Sequence, residues 1–288
     1  MTMPFNSPII KKDLKVISRS MKFSWGLFAY IVALSIVFFL TYSTFSLTFG
    51  GASVNNTDIY EGFVYFFPIV GSVQLSIIGL IVTVITASSI SGERERKTMD
   101  VLLTTTITEP QIIMGKIGSA IVRVMTFVFA SIPLMSVSFI MGGLSWIALF
   151  EYILLAFIFA FMTGAIGTFC SSVCRKSITA IILSYVIYFG VYGAPFILWL
   201  VESLARSGRT NYYLAPISLL VDPIYTYVIF FIDKMTNLEK IDYFGNSSGP
   251  LSILNNVYVW MILSNAVQIG IGVIFVFLAS KNIRPSKK

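Results

Sequence analysis

The sequence predicts an all-α integral membrane protein built on six transmembrane helices, and three observations predict it. First, apolar stretches of about 20 residues or more recur along the chain, each long enough as a helix to cross about 30 Å of hydrocarbon. Second, 56% of residues are hydrophobic and 11% charged, with a mean hydropathy of +0.86. A soluble domain carries about 25% charged residues, so this chain cannot clothe itself in a solvated shell. Third, Lys and Arg gather in short clusters beside the apolar stretches rather than in one continuous stripe. That arrangement argues against a nucleic-acid surface despite the net charge of +7. In lipid a helix is the only open structure that satisfies its own backbone, so the spans are read as helices.

The elements follow in order. Residues 8–22 form an amphipathic helix lying on the membrane surface: Ser7 is a good N-cap and Pro8 suits the first turn. Ile10, Leu14, Ile17 and Met21 make an apolar stripe beside a cationic one of Lys12, Lys15, Arg19 and Lys22. The basic, amphipathic opening lacks the apolar core and small-residue site of a cleavable signal. The spans run at about 23–49, 63–91, 117–141, 146–172, 178–201 and 257–279. Residues 92–116 form a charged connection, and 202–256 form a long segment between spans five and six. Within it, 214–232 is mostly apolar, but Pro216, Asp222 and Pro223 interrupt any straight helix. It reads as short or re-entrant helices on the outer side. With six spans, 16 of the 20 basic residues fall on one side, which is therefore cytoplasmic, with both termini. A seventh span at 214–232 would worsen that split to 14 against 6. The whole chain, 1–288, reads as one multi-pass domain of the cell membrane.

Composition excludes several chemistries. There is no histidine, which removes His-ligated zinc, His general bases and Ser–His dyads. No P-loop pattern occurs, so the chain holds no ATP by that route. Cys170 and Cys174 stand one turn apart in a reducing setting and suit small apolar packing. No cofactor or metal is expected on the chain.

The connection after span two carries the most information. Glu93 and Glu95 read as the first turn of a short helix, with Glu93–Lys97 as an i,i+4 pair. Met99, Leu102 and Leu103 give that helix a small apolar face, and three threonines end it. Thr108 and Gln111 make a capping box that opens the next helix, with Pro110 in its first turn. The segment resembles the signature of the permeases of type-2 ABC exporters (the ABC-2 family). That signature is roughly E-R-E-x-G-T-L-E-x-L-L-x-T-P, about eight residues, then G-K. Glu93, Arg94, Glu95, Thr98, Asp100, Leu102, Leu103, Thr105, Gly115 and Lys116 match it. Lys97 stands where the family usually has Gly, Met99 where it has Leu and Thr106 where it has Pro.

The resemblance implies a coupling helix that sits in a cleft of a separate cytoplasmic ATPase. Its candidate contacts are Glu93, Arg94, Glu95, Arg96, Lys97, Thr98, Asp100, Leu102 and Leu103. It also implies ATP and Mg on that ATPase, and a second permease chain, identical or homologous. The importer-type loop, E-A-A with a glycine three residues later, is absent, which favours export. In proteins of this kind spans two and five line the path, which makes Gln74, Tyr185, Tyr188, Phe189 and Tyr192 candidates. Plain helix packing accounts for the same residues more readily. The four aromatics are expected on one face of span five. Glu151 and Glu202 are expected near water at the outer ends of spans four and five, too shallow for an ion relay. A gradient-driven secondary transporter would show internal repeats and mid-membrane acids, which are not found. A sensor or immunity subunit on the same fold would carry the same signature. Cargo is unspecified: an aromatic-rich, acid-poor membrane domain suits an amphipathic peptide, a lipid or a drug-like molecule.

Overall fold

The structure is a computed structural model that describes residues 20–49, 66–97, 109–142, 146–205, 214–236, 253–254 and 256–283. Its helices are α1 (Met21–Phe49), α2 (Phe66–Glu95), α3 (Glu109–Gly142), α4 (Trp146–Val173), α5 (Ser177–Ala205), α6 (Leu214–Leu219), α7 (Pro223–Thr236) and α8 (Val257–Ile283). Six of them, all but α6 and α7, are long and apolar enough to cross a membrane. The chain is an all-α, multi-pass membrane protein.

The centre of the bundle is α4. Its apolar residues run all the way round, the pattern of a helix enclosed by other helices. It packs most extensively on α2 and α8 and also touches α3 and α5. Small residues let backbones close up, as membrane packing requires. At Gly167 an added Cβ would run into Thr86 Oγ1 and stand 3.2 Å from the Ala87 main-chain nitrogen. On the outside, α1, α5 and α8 turn large apolar side chains outward, among them Phe28, Phe39, Ile182, Phe196, Ile262 and Phe277. So large an apolar surface suits lipid or another membrane chain, and not water. The first helix is held at few points. Tyr30 and Leu34 are buried, and the Tyr30 ring meets Phe127 of α3 edge-on at 5.1 Å.

Some boundaries differ from the sequence expectation. Residues 8–19 of the surface helix lie outside the described residues. Met21 and Lys22 belong to α1, whose first turn is closed by Phe23 N–H donating to the Ser20 carbonyl at 3.0 Å. Span three starts earlier than 117: the helix predicted to open after Thr108 is α3 itself, so Gln111 and Lys116 lie in its first two turns. Pro133 and Pro195 sit inside continuous helices.

The segment at 214–236 folds as two short helices. Asp222 caps α7 by accepting the Ile224 N–H at 2.9 Å, and Pro223 occupies the first turn, where its missing donor costs nothing. The 14 residues of α7 reach only about 21 Å, too short to cross. Its Tyr227, Phe230 and Phe231 are buried against the bundle, where α7 touches α2, α4 and α8. A buried polar knot ties the pair to α8. Ser264 Oγ donates to the Leu220 carbonyl at 2.8 Å, exchanges a hydrogen bond with Thr226, and accepts one from Gln268 Nε2 at 3.0 Å. Glu202, expected beside water, is only 7% exposed, where α6 packs against α5.

Candidate functional site

The last turn of α2 decides the arrangement of the signature. The sequence pattern places Glu93 and Glu95 at the start of a helix; in the structure they lie at the end of one, since α2 runs unbroken to Glu95. Arg96 N–H donates to the Gly92 carbonyl at 3.1 Å, and Lys97 N–H to the Arg94 carbonyl at 3.1 Å. Lys97 then turns the chain with φ 57°, the left-handed conformation in which glycine normally ends a helix. This is the position where the resembling permeases have Gly. The expected Glu93–Lys97 pair is therefore not formed: the helix stops before the spacing it needs.

Acids at a helix C-terminus face the negative end of the dipole and need compensation from elsewhere. Each gets it from a different helix. Glu93 forms an ion pair with Lys116 of α3 at 2.6 Å, the two side chains being 21% and 12% exposed. Glu95 reaches the N-terminus of α5. There its carboxylate accepts from Ser177 N–H at 3.2 Å and from Ser177 Oγ at 2.7 Å, so it caps that helix. Between them, Arg94 donates from Nη1 to the carbonyls of Ser172 at 2.7 Å and Cys174 at 3.3 Å, at the open end of α4. Three consecutive side chains at the end of α2 thus bind three other helices.

One turn deeper, the buried Ser171 hydroxyl of α4 accepts from the main-chain N–H groups of Ile90 and Ser91, both at 2.9 Å. A hydroxyl at those donors enters the hydrogen-bond ladder of α2, a known cause of helix bending. Arg96, Lys97, Arg175 and Lys176 remain exposed around this clasp. Thr98, Asp100, Leu102 and Leu103 lie outside the described residues. Sequence reasoning missed Ser171, Ser177 and the α4 carbonyls, because hydroxyls and carbonyls about 80 positions away give no local signal.

The candidate path residues separate. Gln74 is fully buried, and its Oε1 accepts from Ser131 Oγ of α3 at 3.1 Å. The tyrosines face elsewhere. Tyr188 and Tyr192 are buried and meet edge-on at 4.5 Å, and Tyr192 lies 5.8 Å from Phe159 of α4. Tyr185 donates to the Leu80 carbonyl of α2 at 3.2 Å. Phe189, expected on the same face, points outward at 62% exposure and stacks on Tyr185 at 6.2 Å. At about 100° per residue, 189 lies about 40° from 185 and about 100° from 188, at the edge of the stripe, and packing leaves it outside. Cys170 and Cys174 are free thiols, and no cluster able to hold a metal occurs among the described residues.

A comparison with known families decides the assignment: the family model described as "ABC-2 family transporter protein" matches residues 7–280. The chain belongs to the ABC-2 transporter family. No individual curated protein matches it at a significant level. ABC-2 permeases are generally non-catalytic membrane subunits that typically work with a cytoplasmic ATPase. In this ABC-2 chain the signature charges are the joint between four helices.

Proposed function

We propose that this ABC-2 chain is the membrane subunit of an ATP-driven exporter, paired with a second permease chain and with a cytoplasmic ATPase that carries ATP and Mg. The observation that carries the reading is the division of labour in Glu93-Arg94-Glu95, each of which is bonded to a different helix. A push on the connection beyond Lys97 reaches α3, α4 and α5 through short polar contacts instead of through one flexible loop. In this reading the basic end of the bundle is cytoplasmic. Thr98, Asp100, Leu102 and Leu103 meet the ATPase, and Glu93, Arg94 and Glu95 pass its motion to the spans. The outward apolar faces of α1 and of the second half of α5, with Phe196 and Ile197, offer surface to a second permease. Tyr185, Tyr188 and Tyr192, on the α2–α5 seam, are the path candidates for an amphipathic cargo, and Gln74 serves α2–α3 packing. A gradient-driven carrier fits less well, because neither Glu151 nor Glu202 lies at mid-membrane.

The test is co-purification from the native host. Tagged wild-type chain should bring down a P-loop ATPase whose hydrolysis responds to the permease. Arg94→Ala should retain the ATPase yet lose that response. Wild-type chain that captures no ATPase in detergent or nanodiscs refutes the reading.

A further inference from the structure

From the clasp we infer that Arg96, Lys97, Arg175 and Lys176 form a binding site for the phosphate of an anionic membrane lipid. All four side chains are exposed, and none makes a hydrogen bond or ion pair among the described residues. The clasp brings them together from two connections: Glu95 is bonded to Ser177, and Arg94 to the Cys174 carbonyl. Lys176 and Arg96 both lie within electrostatic reach of Glu95. That carboxylate carries a single negative charge and is bonded to Ser177, so it cannot neutralise four cations. An added anion with several acceptor oxygens matches what is left over.

Level and surroundings select lipid over a soluble partner. Only three residues separate the end of α4 at Val173 from the start of α5 at Ser177, so Arg175 and Lys176 cannot project far from the helix ends. The candidate span in α2, Pro68–Glu95 with its charged last turn, and all of α4 each have 28 residues. That is about 42 Å of helix, the thickness of a bilayer with its headgroups. The cations therefore sit at phosphate depth. Just below them Val173, Ile178 and Ile182 turn outward at 50%, 71% and 59% exposure, a surface for acyl chains. A lipid there would place its headgroup on the cations and its tails along the start of α5. This inference needs the membrane placement alone, and does not depend on the exporter reading.

The experiment uses the full-length chain in mixed micelles, with native mass spectrometry and thermal-shift titration against phosphatidylglycerol and phosphatidylcholine. Wild type should retain phosphatidylglycerol in preference. Each charge removed should weaken its binding about fivefold, so Arg175→Gln with Lys176→Gln should weaken it about 25-fold. Lys281→Gln, an exposed cation on α8, should change it less than twofold, and glycerol phosphate without tails should produce no shift. Four results would each overturn the proposal. One is phosphatidylglycerol binding that survives the double substitution, and another is equal loss from Lys281→Gln. A third is a full response to glycerol phosphate. The fourth is loss of a co-purified ATPase with lipid binding intact, which would assign the patch to a protein.

Discussion

Reversing the charge of Glu93 sets it against Lys116, its partner 2.6 Å away across the α2–α3 junction. Removing one member of a fully buried pair costs about 3–5 kcal/mol, whereas an exposed pair is worth about 0–1 kcal/mol. At 21% and 12% side-chain exposure the pair lies between these limits, so Glu93→Gln should cost about 2 kcal/mol. Glu93→Lys adds repulsion between two cations and should cost about 3–4 kcal/mol. The exchanged pair Glu93→Lys with Lys116→Glu restores the attraction and should come back to within about 1 kcal/mol of wild type. Thermal unfolding of the purified chain reads this as a double-mutant cycle, at about 2 °C per kcal/mol for a chain of this size. Rescue by the exchange, with a coupling of about 2 kcal/mol or more, is the expected result. If the double variant is as unstable as the sum of the two single ones, the ion pair does not join α2 to α3.

Three further outcomes follow from the same geometry. Lys97→Gly relieves the left-handed φ of 57° and should raise stability by about 1 kcal/mol, seen as a higher melting temperature; Lys97→Val should lower it. Gly167→Ala forces α4 away from Thr86 and Ala87 and should cost about 1–3 kcal/mol, while Gly26→Ala, with open space at its Cβ, should be neutral or slightly stabilising. Burial raises the Asp222 carboxyl from its ordinary 3.8 to about 6, so the folded chain holds this proton more tightly than the unfolded one. Its contribution to stability is then greatest below about pH 4 and falls as pH rises through about 6, by about 3 kcal/mol in all. Asp222→Asn keeps the cap on α7 and should flatten that part of the stability–pH profile between pH 4 and 7; an unchanged slope would show that Asp222 is not its source.

The membrane character of the six long helices was readable from sequence because the bilayer acts locally. Each span must be apolar and about 20 residues long whatever its neighbours do. Pro216, Asp222 and Pro223, together with the uneven split of basic residues, spoke against a seventh crossing, as the separate helices α6 and α7 bear out. The signature was legible as a pattern, down to the odd Lys97 in a glycine position. What each of its charges does was not legible. Glu93 looked like the partner of Lys97, four positions on, because sequence shows only local neighbours. Its partner is 23 positions away, since α2 ends before the local pair can form. Likewise Arg94 and Glu95 bind groups 78 to 82 positions away, which become neighbours only when α4 and α5 pack beside α2. The stripe on α5 was sound for Tyr188 and Tyr192, but only packing could decide that Phe189 faces outward and that Gln74 is bonded to α3. Hydropathy, a sum over one short segment, belongs to the sequence. The pairing of charges at the basic end depends on distances between segments, and the tertiary structure alone sets those.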